Sequence, residues 1–229
     1  MSGAVWHEFA SGEILARELA ANIADDLRGA ITVQGGATLA VSGGTTPGRF
    51  FDALSAKPLD WPRVTVTLID ERDVPPVSDR SNEKLVRSRL LRGEAANAKF
   101  VGLRGGPDGS LPDAENPAAR DLKLPFDVAV LGMGLDGHTA SLFPDADGLQ
   151  RLLDPKTYPG VYVVLASSAG ETRLSWPLAA IVAAGQLYLH IEGDAKRKVA
   201  EDALSHGSEL VIGRVLAATS KPSHIYWAP

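Results

Sequence analysis

Short apolar runs alternate along the chain with segments in which apolar residues recur at helical spacing. The runs typical of strands are residues 37–43, 64–70, 126–134, 161–167, 186–193 and the C-terminal HIYWAP. The segments typical of helices are residues 46–56, 81–91, 172–184 and 194–204. The chain begins with a strand fragment that runs into an amphipathic helix.

This alternation predicts an α/β fold, with a mostly parallel sheet covered by helices on both faces in a three-layer, Rossmann-like arrangement. The length of 229 residues fits a single domain over residues 1–229. The stretch 104–120 is rich in Gly, Pro and Asp, and it predicts a long surface loop or else a linker.

Polar or glycine-rich clusters follow four of the predicted strands. They are Ser42–Thr45, Asp70–Arg72, Gly132–His138 and Gly193–Lys196. Ligands of open parallel sheets bind beyond the carboxyl ends of the strands. We therefore expect these clusters to line one shared pocket.

Composition narrows the choice of partners and chemistry. A formal net charge of -5 argues against nucleic acid as a partner, because binding a phosphate backbone needs a concentrated basic surface. The absence of cysteine excludes disulfides and thiolate chemistry. No stretch approaches the ~18 apolar residues of a membrane span, and the start does not resemble a signal peptide, so we expect no membrane partner and a cytoplasmic location.

The histidines other than His138 share no spacing typical of metal ligation, so we expect no metal site. These are His7, His190, His206 and His224. His190 and His224 lie in predicted strands, where packing or surface roles are expected.

The first candidate site is SGGTTP, residues 42–47. Glycines between a strand and a helix let the backbone approach a ligand, and amides at a helix start point at an anion. The turn therefore predicts phosphate or oxyanion binding, or else only a tight turn with a capping threonine.

The second candidate is DERDVPPVSDRSN, residues 70–82. Arg72 directly follows a strand and can make bidentate contacts to a phosphate. The alternative is a solvated strand end with internal Asp–Arg pairing.

The third candidate, GMGLDGHTASLFP, contains G-x-G-x-x-G directly after a strand, which is also typical of a dinucleotide-binding turn. That strand lies in mid-chain, and Pro144 leaves room for only a short helix. Asp136 and His138 have no role in a dinucleotide-binding turn. A histidine in such a loop can titrate near neutrality, as a general base must.

The fourth candidate is a set of cations. Arg173 lies early in a predicted helix, and Lys196 and Lys198 lie in the first turn of another. Each binds an anion or belongs to a solvated helix face.

Taken in order, SGGTTP, DERDVPPVSDRSN, LGMGLDGHTASLFP, ETRLSWPLAAI and IEGDAKRKVAEDAL resemble the 6-phosphogluconolactonase family, and the match covers most of the chain. DGHTASLFP is the specific block, because the glucosamine-6-phosphate deaminases, distant relatives of the same architecture, share a turn similar to SGGTTP. Their loop resembles DGHIAFNEP, with a glutamate before the proline where this chain has Phe143. Around Arg173 the lactonases often have a threonine-rich helix start, whereas this chain reads ETRLSWP.

The resemblance implies the glucosamine-6-phosphate isomerase/deaminase type of α/β fold. It also implies hydrolysis of 6-phosphoglucono-1,5-lactone to 6-phosphogluconate, a step of the oxidative pentose phosphate pathway, without metal or other cofactor. His138 is then the base that activates water and the acid that protonates the departing ring oxygen. Asp136 either orients the imidazole or fixes the loop.

The remaining roles follow from the same resemblance and from strand-end position. Backbone amides of Gly43, Gly44 and Thr45 face the oxyanion or the sugar. Asp70 touches the substrate or braces its loop. The phosphate is then bound by three cations, namely Arg72, Arg173 and Lys196.

Other classes of protein stay open at this point. One is a deaminase or isomerase of glucosamine 6-phosphate, against which Phe143 in place of the glutamate argues. The others are a nicotinamide-dependent oxidoreductase built on G-x-G-x-x-G and a non-catalytic sugar-phosphate sensor.

Overall fold

Two sheets organise the chain in the computed structural model, which describes residues 3–104, 122–205 and 208–229. The strands are β1 (Ala4–Glu8), β2 (Ala37–Val41), β3 (Val64–Leu68), β4 (Asp70–Arg72), β5 (Lys99–Val101), β6 (Val128–Leu131), β7 (Tyr162–Val164), β8 (Arg173–Ser175), β9 (Gln186–Glu192) and β10 (Ser223–Ala228). The helices are α1 (Gly12–Gln34), α2 (Gly48–Ser55), α3 (Asn82–Arg89), α4 (Leu149–Leu152), α5 (Leu178–Val182), α6 (Asp194–Leu204) and α7 (Val211–Ala218).

The larger sheet has seven strands in the order β1-β10-β9-β6-β2-β3-β5, and every neighbouring pair is parallel. Parallel strands need crossovers, and crossovers are right-handed. The steps β1 to β2 and β2 to β3 therefore place α1 and α2 on one face. The steps β6 to β9 and β9 to β10 run the other way and place α5, α6 and α7 on the opposite face. The predicted α/β architecture is confirmed.

The winding reverses between β2 and β6, which are neighbours in the sheet. The chain leaves β2 toward β3 and leaves β6 toward β9, so the two connections diverge at the carboxyl edge. Such a divergence opens a crevice between the loops, and this is where open α/β sheets bind ligands.

Helix α1 covers one face of the sheet with a regular apolar stripe. Leu15, Leu19, Ile23 and Leu27 are fully buried at intervals of four residues, which keeps them on one side of the helix. Ser11 caps the start of the helix, and its Oγ accepts a hydrogen bond from the Ile14 amide at 3.3 Å. Burying each of these side chains contributes about 1.5–3 kcal/mol.

The smaller sheet differs from the prediction. Residues 172–184 were expected to be helical, but Arg173–Ser175 forms β8, and only Leu178–Val182 is helical. β8 pairs antiparallel with β4 and β7. The predicted strand over 161–167 is thus β7 of the small sheet and not part of the main one. Tertiary pairing overrides the helical periodicity, because it satisfies the backbone of β8 along both edges.

Two sequence expectations fall on residues that the structure does not describe. The predicted loop over 104–120, apart from Arg104, lies outside the described residues, and so does His206. No helix within the three described ranges is long and apolar enough to cross a membrane.

A polar cluster lies beneath α1 on β1, β10 and β9. His7 Nε2 is 3.0 Å from His224 Nδ1, and the His7 ring stacks on Tyr226 at 4.6 Å. The hydroxyl of Tyr188 donates to Asp26 at 2.5 Å. Burial, and then the neighbouring His224, lower the pKa of His7.

The stability of the fold should therefore depend on pH through His7. Unfolded His7 takes up a proton near its ordinary pKa of about 6.5, whereas native His7 does so only at lower pH. Between these values the unfolded chain binds more protons, so the free energy of unfolding falls as pH falls. Urea unfolding at about pH 7.5 and about pH 5.5 should show this decrease, and His7→Phe should show a smaller one. An unchanged decrease in His7→Phe would contradict the assignment.

Candidate functional site

A cleft of about 360 Å³ opens at the carboxyl edge of the main sheet, where the loops that follow β2 and β6 diverge. Each of the four strand-end clusters contributes to its lining, as expected. The predicted site residues that line it are Gly43, Gly44, Thr45, Asp70, Arg72, His138, Arg173 and Lys196. Asp136 is not part of the lining but contacts His138.

The loop after β2 packs tightly on the segment that leads into α3. A Cβ at Gly43 would lie 2.0 Å from Asn82 Oδ1, so no other residue fits there without displacing Asn82. Pro47 is the residue that precedes α2, and no side chain caps that helix, so Thr45 is not a capping residue. Gly43 and Gly44 line the cleft, and because they have no side chains, their backbone faces it.

Asp70 joins two of the clusters. Its Oδ2 accepts a hydrogen bond from the hydroxyl of Ser141 at 2.7 Å, and its carbonyl accepts one from Asn82 Nδ2 at 2.8 Å. The carboxylate also lines the cleft and is 9% exposed. Asp70 thus braces the loop after β6 while remaining within reach of a ligand.

Glu71 fixes the segment that carries Arg72. Its buried carboxylate accepts hydrogen bonds from the amides of Arg72, Asn82 and Glu83 and from the Ser81 hydroxyl, at 2.7–2.9 Å. Two of these amides belong to the first turn of α3, which has no backbone partner for them. The sequence does not predict this role of Glu71, because a bracing carboxylate has no local signature.

Arg72 and Arg173 lie directly opposite each other in the β4–β8 ladder. The guanidinium of Arg72 donates to the carbonyl of Arg80, and among the described residues it forms no ion pair. The alternative of a solvated strand end with Arg72 paired to an aspartate is therefore not observed. Burial, and then the charge of Arg72, lower the pKa of Arg173.

An anion bound beside the β4–β8 ladder would offset both the burial of the Arg173 charge and its repulsion by Arg72. The Nε atoms of Arg72 and Arg173 are buried, and neither has a hydrogen-bond partner. A guanidinium carries only donors and stays charged. Two cations with unused donors at one wall of a cleft therefore form a site for a phosphate or carboxylate.

The loop after β6 is held in place from within. The Gly134 amide donates to the His138 carbonyl at 2.9 Å, and Thr139 Oγ1 donates to the Gly132 carbonyl at 2.7 Å. No helix follows until α4, which begins at Leu149. A dinucleotide-binding turn needs a helix that starts at the glycines, so this G-x-G-x-x-G sequence does not form one.

His138 projects from this loop into the cleft. Its Nδ1 lies 2.5 Å from Asp136 Oδ1, and 27% of its side chain is exposed. The ring packs on Phe143 at 4.3 Å between centroids, and Arg173 lies over the same phenyl ring at 5.6 Å. With Nδ1 held by a carboxylate, Nε2 is the nitrogen available to a ligand or a water molecule.

A further histidine lines the cleft, although its position in a strand predicts only a packing or surface role. His190, on β9, is 3% exposed, and burial lowers its pKa. Lys196, in the first turn of α6, is half-buried beside it, and burial lowers its pKa as well. The strand periodicity predicts a buried face at position 190, but it does not reveal that this face ends at a cleft.

Unpartnered polar atoms concentrate around the cleft. Within the described residues, the buried side-chain atoms without a hydrogen-bond partner are Ser42 Oγ, Arg72 Nε, Arg173 Nε, His190 Nε2 and Glu192 Oε1. All except Glu192 belong to residues of the lining. The described residues contain no group of three His, Asp or Glu side chains that could hold a metal ion. The cleft is thus suited to a small, polar, anionic ligand.

Comparison with known proteins gives one family. The family described as glucosamine-6-phosphate isomerases/6-phosphogluconolactonase matches residues 10–227. A protein of Mesorhizobium japonicum named 6-phosphogluconolactonase is 49% identical over 227 residues, which cover 98% of this chain and 95% of that protein. One of Rhizobium meliloti with the same name is 46% identical, covering 97% and 98%.

Solved structures agree with the sequence relatives. The crystal structure of a 6-phosphogluconolactonase from Shewanella baltica is similar to this chain with a TM-score of 0.89 and 37% identity. The alignment covers 99% of this chain and 98% of that one.

Two glycines of the loop after β6 should respond differently to substitution. A Cβ at Gly134 would lie 2.3–2.5 Å from the His138 ring and Asp136, whereas a Cβ at Gly132 would meet only Ser42, at 3.9 Å. Gly134→Ala should lower the free energy of unfolding by about 1–3 kcal/mol, or displace the His138–Asp136 pair. Gly132→Ala, the matched control, should stay within about 0.5 kcal/mol. Denaturant unfolding and crystal structures of both variants test this, and equal effects would contradict it.

Proposed function

The chain belongs to the family of glucosamine-6-phosphate isomerases and 6-phosphogluconolactonases, and we propose that it hydrolyses 6-phosphoglucono-1,5-lactone to 6-phosphogluconate in the pentose phosphate pathway. Its similarity to relatives named 6-phosphogluconolactonase extends over nearly the full length of both chains. The observation that carries the proposal is a histidine–carboxylate pair and a pair of arginines in one cleft.

His138 acts as the base in the proposed reaction. Asp136 accepts a hydrogen bond from the protonated Nδ1, which leaves Nε2 unprotonated and able to take a proton from water. The hydroxide formed adds to the lactone carbonyl carbon, C1, and the carbonyl electrons move to its oxygen. Asp136 thereby orients the imidazole and stabilises the imidazolium that the proton transfer creates.

The tetrahedral intermediate then collapses. The oxyanion re-forms the carbonyl, the bond between C1 and the ring oxygen breaks, and the imidazolium of His138 returns its proton to that oxygen. Backbone amides of Gly43, Gly44 and Thr45 donate hydrogen bonds to the oxyanion or to the sugar, and the nearby Asp70 can accept one from a sugar hydroxyl. The products are one carboxylic acid, which ionises, and one free hydroxyl, so the step needs only water.

The phosphate of the substrate is held away from the reacting carbon. Arg72, Arg173 and Lys196 are the cations of the cleft, and the first two have unused donors. Holding the phosphate fixes the lactone carbonyl in line with the water, which turns an encounter of two molecules into a step within one complex. Metal ions and other cofactors have no role in this proposal.

Phe143 favours the lactonase over the deaminase within this family. Its phenyl ring packs on His138 at the place where the deaminase loop has a glutamate. An apolar ring there cannot exchange protons with the substrate. Ring opening and deamination of an amino sugar would therefore lack a carboxylate that the deaminase loop supplies.

Removal of the base should slow the chemical step alone. His138→Ala should lower kcat by about 10²–10⁴-fold and leave KM nearly unchanged, because the imidazole contributes in the transition state. The measurement is hydrolysis of 6-phosphoglucono-1,5-lactone, corrected for spontaneous hydrolysis. His7→Phe, outside the cleft, is the control and should keep normal kcat. Normal kcat in His138→Ala would remove His138 from the mechanism, and ammonia released from glucosamine 6-phosphate would contradict the proposed reaction.

Removal of a cleft arginine should weaken binding of the phosphorylated substrate selectively. Arg72→Ala and Arg173→Ala should each raise KM by about 10- to 100-fold, the value of a charge-assisted hydrogen bond. Neither should matter much for the unphosphorylated lactone. Arg63→Ala, an exposed arginine paired with Asp60 before β3, is the matched control. Equal losses with both lactones would show that these arginines do not bind phosphate.

A further inference from the structure

His190 is a buried polar group that the proposed chemistry does not use. It lies on β9 with its ring edge-on to Phe50 of α2, at 6.1 Å between centroids. The side chain is 3% exposed and lines the cleft, and its buried Nε2 has only one long polar contact, with Glu192. A buried imidazole without a full set of partners costs free energy, so its place in the cleft lining calls for a reason.

Glu192 determines which nitrogen of His190 is free. Its Oε1 lies 3.4 Å from His190 Nε2, while its Oε2 accepts a hydrogen bond from Arg49 at 2.5 Å. The pairing with His190 lowers the pKa of Glu192, so Glu192 is a carboxylate and can only accept. The proton of a neutral His190 therefore belongs on Nε2, which leaves Nδ1 as an acceptor.

The charge state of His190 follows from its surroundings. Burial lowers its pKa, the charges of Lys196 and Arg49 act in the same direction, and Glu192 opposes them. His190 is thus a neutral acceptor next to a cation of the cleft. A doubly ionised phosphate carries no hydrogen to donate to it, and neither does a carboxylate or a ring oxygen.

We propose that His190 is a further substrate-binding residue, which accepts a hydrogen bond from a hydroxyl of the ligand's carbon chain beside Lys196. The proposal rests on the proposed function, since it takes a polyhydroxylated sugar acid phosphate as the ligand. Glu192, held by Arg49, is the positioning residue that sets the tautomer. A site built to accept a hydroxyl rejects an analogue that lacks it, because the buried acceptor is then left unpaired.

The test is binding of 6-phosphogluconate and its 2-deoxy, 3-deoxy and 4-deoxy analogues, measured by calorimetry. The wild-type chain should bind one analogue about 10- to 100-fold more weakly than the parent. His190→Leu should lose a similar factor with the parent but bind that analogue as the wild type does. Leu189→Ala, a fully buried neighbour on β9 that does not line the cleft, is the control for disturbance of the strand. It should change all four affinities by the same factor.

Equal losses for all four ligands in His190→Leu would overturn the proposal, and so would unchanged binding of the parent. His190→Phe, which keeps an aromatic ring beside Phe50, allows the same comparison if the leucine variant fails to fold. Failure of the proposed function would give a different experimental result. The wild-type chain would then not hydrolyse the phosphorylated lactone, whatever the binding pattern of the deoxy acids.

Discussion

The reversal of winding between β2 and β6 is the constraint on which the site depends. Because crossovers are right-handed, a change of direction along the sheet sends the two loops to opposite faces and leaves the carboxyl edge between them open. The glycine loop after β2 and the histidine loop after β6 border that opening. A helix that crossed over the carboxyl edge between β2 and β6 would keep both loops from contacting a ligand there.

Buried hydrogen bonds then fix the walls of the opening. Asp70 connects the start of β4 to Ser141. Glu71 accepts hydrogen bonds from four donors in the segment that follows it. The carboxylate of Glu71 is removed from water, which is costly unless its oxygens find donors, and these four donors satisfy it. The rigidity they give to β4 is what allows the guanidinium of Arg72 to stand across from that of Arg173.

The sequence predicts the parts of this architecture that have a local signal. Strand periodicity and glycine placement identify the main sheet, and its parallel pairing brings Gly43, His138 and Lys196 to one edge. Arg72 reaches the same edge because β4 directly follows β3. The small sheet was not predicted, because pairing between β4 and β8 depends on residues about a hundred positions apart in the chain. Arg173 was therefore assigned to a helix. His190 was missed for a related reason, since alternation along a strand indicates burial but not what lies above it.

The facing arginines also affect how the purified protein behaves. Without a ligand, the like charges of Arg72 and Arg173 face each other in the short β4–β8 ladder. Any small dianion that settles between them binds the folded chain and not the unfolded one, and it stabilises the fold by mass action. If the two arginines bind the substrate phosphate as proposed, inorganic phosphate or sulfate in a buffer should both raise the melting temperature and compete with the substrate. The choice of buffer salt should then alter the melting temperature and the measured KM together.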